Sequence, residues 1–557
     1  MTGWLSDLSR TRFFIILFIT ISALTLLAWH NRFILDDAFI SFRYAYNLVQ
    51  GKGLVFNEGE RVEGYTNFLW TLAMSIPLFL GYDPVSFSLV AGIIFFILSL
   101  IFTFKLSSLI FNSRDMGLLT IILLGTNYTF SSYATSGLET QMQACIFVIT
   151  VFILVTFLQT HDWGPLILLQ FSLLLSAALL TRLDSALLVI VVLTITLYLI
   201  PTEKRVMVQK LMRISVLLVP LMIIIGGWFI WKLSYYGSIL PNTFYAKAMP
   251  SITSPKKGLY YICIFMISYL LIPFPFLFLA ALKTFFNKSN FKMIILSTVI
   301  LLWLLYIVSV GGDFMEFRFM VPILPLLFIL IVWLTFVFIQ RTWIRLTLIL
   351  LVLSGSLHHT LTFGKYMNTK FVETIDQLYG HVTHDKWEKI GNVLGRSFHY
   401  DQNISIATGA VGAITYYSRL RTIDWYGLNN RWIARYGDFA GTRPGHQKIP
   451  TSSYLLQQRV NIIINPFLIK TADTSKTSLI INGFQNYLLN KTSWVINDLQ
   501  NFLPKIPNPD EIPSNTKIIE IPIDHNSVLY VLYLFHNPTI DEAIQENNWK
   551  VYPIVRN

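Results

Sequence analysis

Charge and cysteine are both scarce in this chain. Of its 557 residues only 13% are Asp, Glu, Lys or Arg while 54% are hydrophobic, and the mean hydropathy is +0.57. A soluble globular domain does not carry that balance, so an integral membrane protein is expected. The two cysteines, Cys145 and Cys263, lie far apart in apolar runs, which excludes a disulfide framework and a spaced zinc motif. No nucleophilic-triad spacing, phosphate-binding glycine loop, internal repeat or low-complexity tract is present. The formal net charge of +12 has neither the basic patch nor the motif that nucleic acid needs, so no nucleic-acid partner is expected.

What is there is a series of apolar runs. They fall at roughly 13–29, 84–104, 116–134, 138–159, 164–181, 184–201, 214–234, 258–281, 292–310, 320–340 and 343–360, about eleven crossings. Arg10 and Arg12 precede the first run and no small-residue cleavage pattern follows it, so it reads as an uncleaved first helix. The segment 66–81 is short and interrupted by Pro77, which suits an interfacial or re-entrant helix. With that segment not crossing, Lys105, Arg114, Lys204, Arg205, Lys210, Arg213, Lys283, Lys288, Lys292, Arg341 and Arg345 fall on the side of Arg10 and Arg12. The positive-inside rule makes that side the cytoplasm. The expectation is a 1–360 membrane domain, with a first outer loop at 30–83, and a polar extracytoplasmic α/β domain over 361–557. In the latter, ISIATGAVGAITYYS and RVNIIINPFLI read as short buried strands beside helical stretches.

The outer connections carry LDDAFISFRY with GERVEGYTN, TSGLETQM, TRLDS, YYGSILPNTFYAK and GGDFMEFRF. Charges at membrane depth cost on the order of 2.5–3.5 kcal/mol each on insertion scales, so such residues pair or line a polar site. Each cluster also has a structural reading. Asp36 and Asp37 suit a helix N-terminus. Ser136 and Glu139 match a capping box. Arg182 with Asp184, and Asp313 with Arg318, read as ion pairs at helix ends. On a helix Asp36, Ile40 and Arg43 share one face and Asp37, Ser41 and Tyr44 the next, so the two carboxylates can take different roles.

Together with GAITYYS and IDWYGLNNRWIAR, these motifs resemble the membrane glycosyltransferases of the terminal β-1,2-arabinofuranosyltransferase family, of the GT-C class. The likeness runs to roughly Pro450. It implies a polytopic helical GT-C fold with an extracytoplasmic C-terminal domain, in the inner membrane of a bacterium. It implies inverting transfer of a sugar from a polyprenyl-phosphate donor to an envelope glycan or glycolipid acceptor. Inverting transfer needs a general base, here Asp37 with Asp36 second; the spacing from Asp37 to Arg43 resembles the D-x5-R pattern of oligosaccharyltransferase catalytic subunits, also GT-C proteins. Arg43, Arg182, Lys247 and Arg318 are the candidates for the donor phosphate. Glu63, Glu139, Asp184, Asn242 and Asp313 are candidates for sugar hydroxyls or for orienting the base, and Tyr65, Trp70 and Tyr245 for stacking. Asp424, Tyr426, Asn429, Arg435 and His446 either bind the acceptor or form a structural turn. A divalent metal is compatible with the class, but no obligatory cofactor is expected, and His358 and His359 read as interfacial. The alternative is a lipid-linked sugar flippase or transporter.

Overall fold

A computed structural model describes residues 10–160, 164–200, 207–247, 254–285, 290–366, 372–383, 387–441, 445–464, 469–470 and 513–554. Packing divides the chain into two compact units. The first is Met1–Ile34, Thr66–Ile239 and Pro250–Ile375; the second is Leu35–Tyr65, Leu240–Met249 and Asp376–Asn557. The division therefore differs from a cut at 360/361, because the segments Leu35–Tyr65 and Leu240–Met249 group with the C-terminal part.

In the first unit seven helices among the described residues are long and apolar enough to cross a bilayer. These are Thr11–His30, Pro84–Phe111, Thr140–Thr160, Val208–Tyr236, Phe291–Val310, Arg318–Phe338 and Thr342–Lys365. The chain is a multi-pass membrane protein. The other apolar runs are helical too, but differ from simple crossings. The run 258–281 is two helices, Ser254–Ser268 and Pro273–Phe285, bent by 103°. Pro273 lacks an N–H and steers its predecessor away from the helix, and Leu270 takes a positive φ of 56°. Counting that pair as one span gives eight. The run 116–134 breaks into Arg114–Gly125 and Tyr128–Ser132, where the Asn127 side chain caps the second helix by accepting from Phe130 N at 3.0 Å. Pro165–Thr181 and Leu183–Leu199 are shorter apolar helices, each about 25 Å long at 1.5 Å per residue.

The helix Phe68–Phe79 has 12 residues, about 18 Å, which is too short for a core of about 30 Å. It buries Trp70, Thr71 and Met74 and exposes Ile76 and Phe79, while Trp70 Nε1 donates to Gly137 O at 2.9 Å. At the centre of the unit, every residue of Leu324–Trp333 is buried, as a helix apolar all round requires. It packs against Pro84–Phe111, Arg114–Gly125, Thr140–Thr160 and Phe291–Val310.

The second unit is built on a mixed sheet. Its strands are β1 (Ser405–Thr408), β2 (Arg421–Asp424), β5 (Ile462–Ile464), β6 (Ile469–Lys470), β7 (Lys517–Asp524), β8 (Ser527–Tyr533) and β9 (Lys550–Pro553), while β3 (Asp438–Phe439) and β4 (Lys448–Ile449) form a separate ribbon. The order is β2-β1-β5-β8-β7-β9, parallel among β2, β1 and β5 and antiparallel beyond. Alternation sends Ile462, Ile464, Ile519, Ile521, Leu529 and Val531 to one face, with Ile390, Leu394, Ile414 and Ile540 from helices. Ile463, Ile518, Val528, Tyr530 and Leu532 point to the other, with Ile433, Tyr454 and Leu455. Both faces are covered, so β8 is buried at all seven positions. Of the stretch ISIATGAVGAITYYS only the first part is strand; Ala413–Ser418 is helix.

Helix Trp387–Ser397 lies close on Ala413–Ser418 because position 391 is glycine: a Cβ there would stand 2.7 Å from Ile414 O. Gly391→Val is expected to cost about 1–3 kcal/mol by overpacking, seen as a lower melting temperature and faster proteolysis of the C-terminal region.

Candidate functional site

The helix Asp36–Val49 begins at Asp36 itself, after Leu35, so neither aspartate is its N-cap; both lie in its first turn. Asp36 is occupied in another way. Its Oδ2 accepts from Gly412 N at 3.0 Å and its Oδ1 from Ala413 N at 2.7 Å, at the start of Ala413–Ser418. A Cβ on Gly412 would collide with Asp36, so this approach requires glycine.

Two turns along, Arg43 holds the other end of the same short helix. Its Nη1 donates to Thr415 O at 2.8 Å and its Nη2 to Leu420 O at 2.9 Å and Arg419 O at 3.3 Å, while Nε donates to Phe56 O at 3.1 Å. The acid thus meets the helix N-terminus and the base its C-terminus, the arrangement the helix dipole favours. Between them Phe39 and Phe42 pack on Tyr416 and Tyr417. Burial lowers the Arg43 pKa to about 10, with Tyr46 and Arg419 acting in opposite senses. The guanidinium of Arg43, a residue 2% exposed, donates to four backbone carbonyls, where a phosphate contact was expected.

The loop after β2 is a second buried network. Asp424 Oδ2 accepts from Asn429 N at 2.8 Å and Asn429 Nδ2 at 2.9 Å, and Oδ1 from Tyr426 N at 3.0 Å. Asn429 Oδ1 takes the Tyr44 hydroxyl at 3.2 Å, and that hydroxyl accepts from Gly64 N at 2.8 Å. From another segment, Asn242 Nδ2 donates to Gly427 O at 2.8 Å, Leu428 O at 3.0 Å and Asn430 O at 3.2 Å, and its N–H to Glu63 O at 2.8 Å. Tyr65 is buried edge-on against Tyr44. Asp424, Asn429, Asn242, Glu63 and Tyr65 are all at most 5% exposed. Asp424 and Asn429 thus form the structural turn that was one of their two expected readings, Asn242 and the Glu63 backbone oxygen join it, and Tyr65 lies buried against Tyr44, where sugar contacts were expected of these three. Tyr245 packs under Arg435 at 4.3 Å and His446 against Tyr426 at 4.3 Å, both half-buried. Lys247 is exposed at the end of the helix Asn242–Lys247.

The first unit gathers the remaining charged candidates. Glu139 Oε1 accepts from Arg182 Nη1 at 2.7 Å and Oε2 from Asn67 Nδ2 at 2.7 Å, so it serves these partners instead of closing a capping box with Ser136. Arg182 binds Asp184 through Nη2 at 2.7 Å and Nε at 3.0 Å. Gln143 donates to Asp184 Oδ1 at 2.8 Å and the Tyr306 hydroxyl to Oδ2 at 3.3 Å. Arg318 Nε donates to Asp313 Oδ2 at 2.6 Å. The guanidinium carbons of Arg182 and Arg318 stand 5.9 and 5.3 Å from the centroid of one ring, that of Phe319. The structure therefore joins Glu139, Arg182 and Asp184 in one network and brings Arg318, with Asp313, to the same aromatic ring.

Sequence reasoning missed Asn67, Gln143, Tyr306, Glu316 and the role of His359. Gln143 had a signal, since it is one helical turn beyond Glu139. His359 is 1% exposed and its Nε2 is 2.6 Å from Glu316 Oε1. Among the described residues no three His, Cys, Asp or Glu side chains cluster as a metal ion would need.

Comparison with known proteins gives first a class. The chain has the fold of ArnT from Cupriavidus metallidurans, both in the structure bound to undecaprenyl phosphate and in the apo state, each with a TM-score of 0.52, 11% identity and coverage of 94% of this chain and 98% of that one. It is thus a GT-C-fold membrane protein. In sequence it is similar to the terminal β-(1→2)-arabinofuranosyltransferase of Mycobacterium tuberculosis, at 27% identity over 239 residues, 40% of this chain. The match covers 36% of that relative's length, little more than a third. Residues 376–506 match a family described as a domain of unknown function, DUF8728.

Two outcomes follow from the second unit. Asp36→Ala and Arg43→Ala should each destabilise it by about 2–4 kcal/mol, since each strands buried backbone groups, measured by thermal unfolding and protease resistance. Burial pushes the Asp424 pKa up to about 6, against the opposing hydrogen bonds from Asn429, Tyr426 and Gly427. A carboxyl raised in the folded state costs nothing below its unfolded value near 4 and its full penalty above 6, on the order of 3 kcal/mol. The melting temperature of wild type relative to Asp424→Asn should therefore fall between pH 4 and 6 and level off above. A difference independent of pH would contradict the shift.

Proposed function

We propose that the protein is an inverting glycosyltransferase that moves a sugar from a polyprenyl-phosphate carrier to an envelope glycan or glycolipid acceptor outside the cytoplasm. The observation that carries the reading is the pair Arg182 and Arg318, half-buried and buried respectively at the ends of membrane helices, both against Phe319 and both held by carboxylates. Guanidiniums fixed in this way can meet a phosphate without reorganising. The fold shared with ArnT, whose structure holds undecaprenyl phosphate, supports the choice of donor class.

In this reading the acceptor hydroxyl attacks the anomeric carbon while its proton passes to a carboxylate. The bond from that carbon to the phosphate oxygen breaks, and the carrier phosphate leaves with the bonding pair. Displacement from the opposite face inverts the anomeric centre. Asp37 is the base in this reading, with Asp36, which accepts from Gly412 and Ala413, second. Arg182 and Arg318 stabilise the charge that grows on the phosphate, and Glu139, Asp184 and Asp313 keep them oriented. The enzyme sits in the inner membrane of a bacterium with its C-terminal region outside the cytoplasm, in line with the distribution of Lys and Arg.

The test is glycosyl transfer by purified protein supplied with a panel of polyprenyl-phosphate sugars and membrane extract. Asp37→Asn should lower the rate by about 10²–10⁴-fold with an unchanged melting temperature. Full transfer by Asp37→Asn would remove the base assignment. Movement of lipid-linked sugar across vesicles with no new glycosidic bond would replace the enzyme by a transporter.

A further inference from the structure

The segment Gly311–Arg318 is an irregular strap between the helix ending at Val310 and the 3-10 turn Arg318–Ile323. It reverses through Gly311 and Gly312, at φ 88° and 77°, and turns again at Phe317, a non-glycine residue at φ 48°. A left-handed aromatic residue persists only where its surroundings over-determine it. Glu316, its neighbour, supplies much of that constraint. The backbone of the strap pairs with Glu373: Glu373 N donates to Phe314 O at 2.7 Å and Glu316 N to Glu373 O at 3.1 Å. The Glu316 carboxylate, 2% exposed, accepts from Ile375 N at 2.7 Å and lies 2.6 Å from His359 Nε2.

His359 belongs to the helix Thr342–Tyr366 and is stacked on Tyr269 at 4.6 Å and 15°, with Phe363 at 4.9 Å and Phe317 at 5.6 Å. Its Nδ1 is buried with no hydrogen-bond partner, so its polar capacity is directed to Glu316. The hydrogen is assigned to Nε2, the nitrogen that meets the carboxylate. Two residues beyond Glu316, Arg318 Nε donates to Asp313, which also accepts from Phe314 N at 2.9 Å.

We propose that Glu316 and His359 are positioning residues: they lock the strap so that Phe317 holds its left-handed turn and the Arg318 guanidinium is presented to the donor phosphate. This rests on the assignment of Arg318 as a phosphate contact. The pair acts through Arg318 and touches no substrate.

The experiment measures binding of undecaprenyl phosphate to the purified full chain, and KM and kcat for the lipid donor, in Glu316→Gln, His359→Phe, Arg318→Ala and the double variants with Arg318→Ala. Glu316→Gln and His359→Phe should each weaken binding and raise KM by about tenfold, and neither should add to the loss in Arg318→Ala. Equal losses with and without Arg318 would show a general structural role and overturn the inference. Unchanged binding in Arg318→Ala alone would remove the phosphate assignment itself, whereas a loss there with none in Glu316→Gln and His359→Phe leaves that assignment standing and sinks only the positioning role. If Glu316→Gln does not fold, His359→Phe, which keeps the aromatic volume and removes the hydrogen bond, decides alone.

Discussion

The second unit depends on the grip of one helix on another: Asp36 at the first turn of Ala413–Ser418 and Arg43 at its end. The partners are 376 and 372 residues apart in sequence, so the contact closes a very long loop, and its benefit arrives only after that closure. What makes it worthwhile is the chemistry of helix ends. A helix of six residues has more unpaired backbone groups than it can satisfy internally, and a carboxylate and a guanidinium two turns apart on one rigid face satisfy both ends at once. Ile414 on that short helix belongs to the core of the sheet, so the grip also fixes how the early segment meets the α/β fold. Asn57 extends the same join by exchanging hydrogen bonds with the backbone of Thr422, at 2.8 and 3.0 Å, and Glu60 does so by pairing with Arg421 at 2.8 Å.

A different logic governs the charges of the membrane unit. Buried ion pairs seldom repay their desolvation, and apolar replacements of equal volume are often as stable or more so. Glu139, Arg182 and Asp184, and Asp313 with Arg318, are therefore poor candidates for pure stabilisers. Their value lies in being fixed. Arg182 is gripped from two directions by carboxylates that are themselves held by Asn67, Gln143 and Tyr306, and such a network has few alternative arrangements.

Much of the architecture was legible in the chain. Apolar length marked the membrane helices, and the unbroken apolar run Ile462–Ile464 marked β5, because a strand covered on both faces needs no alternation. The breaks were less visible: Pro273 was in plain view, but an apolar run reads the same on either side of a 103° bend. Site residues were legible as a set and not by role. Arg43 in a motif looks alike whether it meets a phosphate or four carbonyls, and the carbonyls lie in residues that only folding brings near. Asp424 and Asn429 likewise read as polar groups available to a ligand, when their partners are each other and the neighbouring backbone. The helical spacing of Asp36 and Asp37 did separate two faces, and the first of them turned out to be engaged with Gly412 and Ala413.

The charge balance around Phe319 bears on how the proposed transfer would be driven. Glu139, Asp184 and Asp313 against Arg182 and Arg318 leave one net negative charge. A glycosyl phosphodiester donor carries one negative charge on its phosphate, and the monoester left after transfer carries up to two. In the proposed transfer, arginines already compensated by carboxylates would use only part of their attraction on the diester. As the glycosidic bond to phosphate lengthens, the new charge appears on the departing oxygen, and attraction to the two guanidiniums grows with it. An interaction that strengthens along the reaction raises the rate, whereas one already complete in the bound substrate only tightens binding. Over-neutralised arginines are on this argument a means of holding the transition state more tightly than the bound donor.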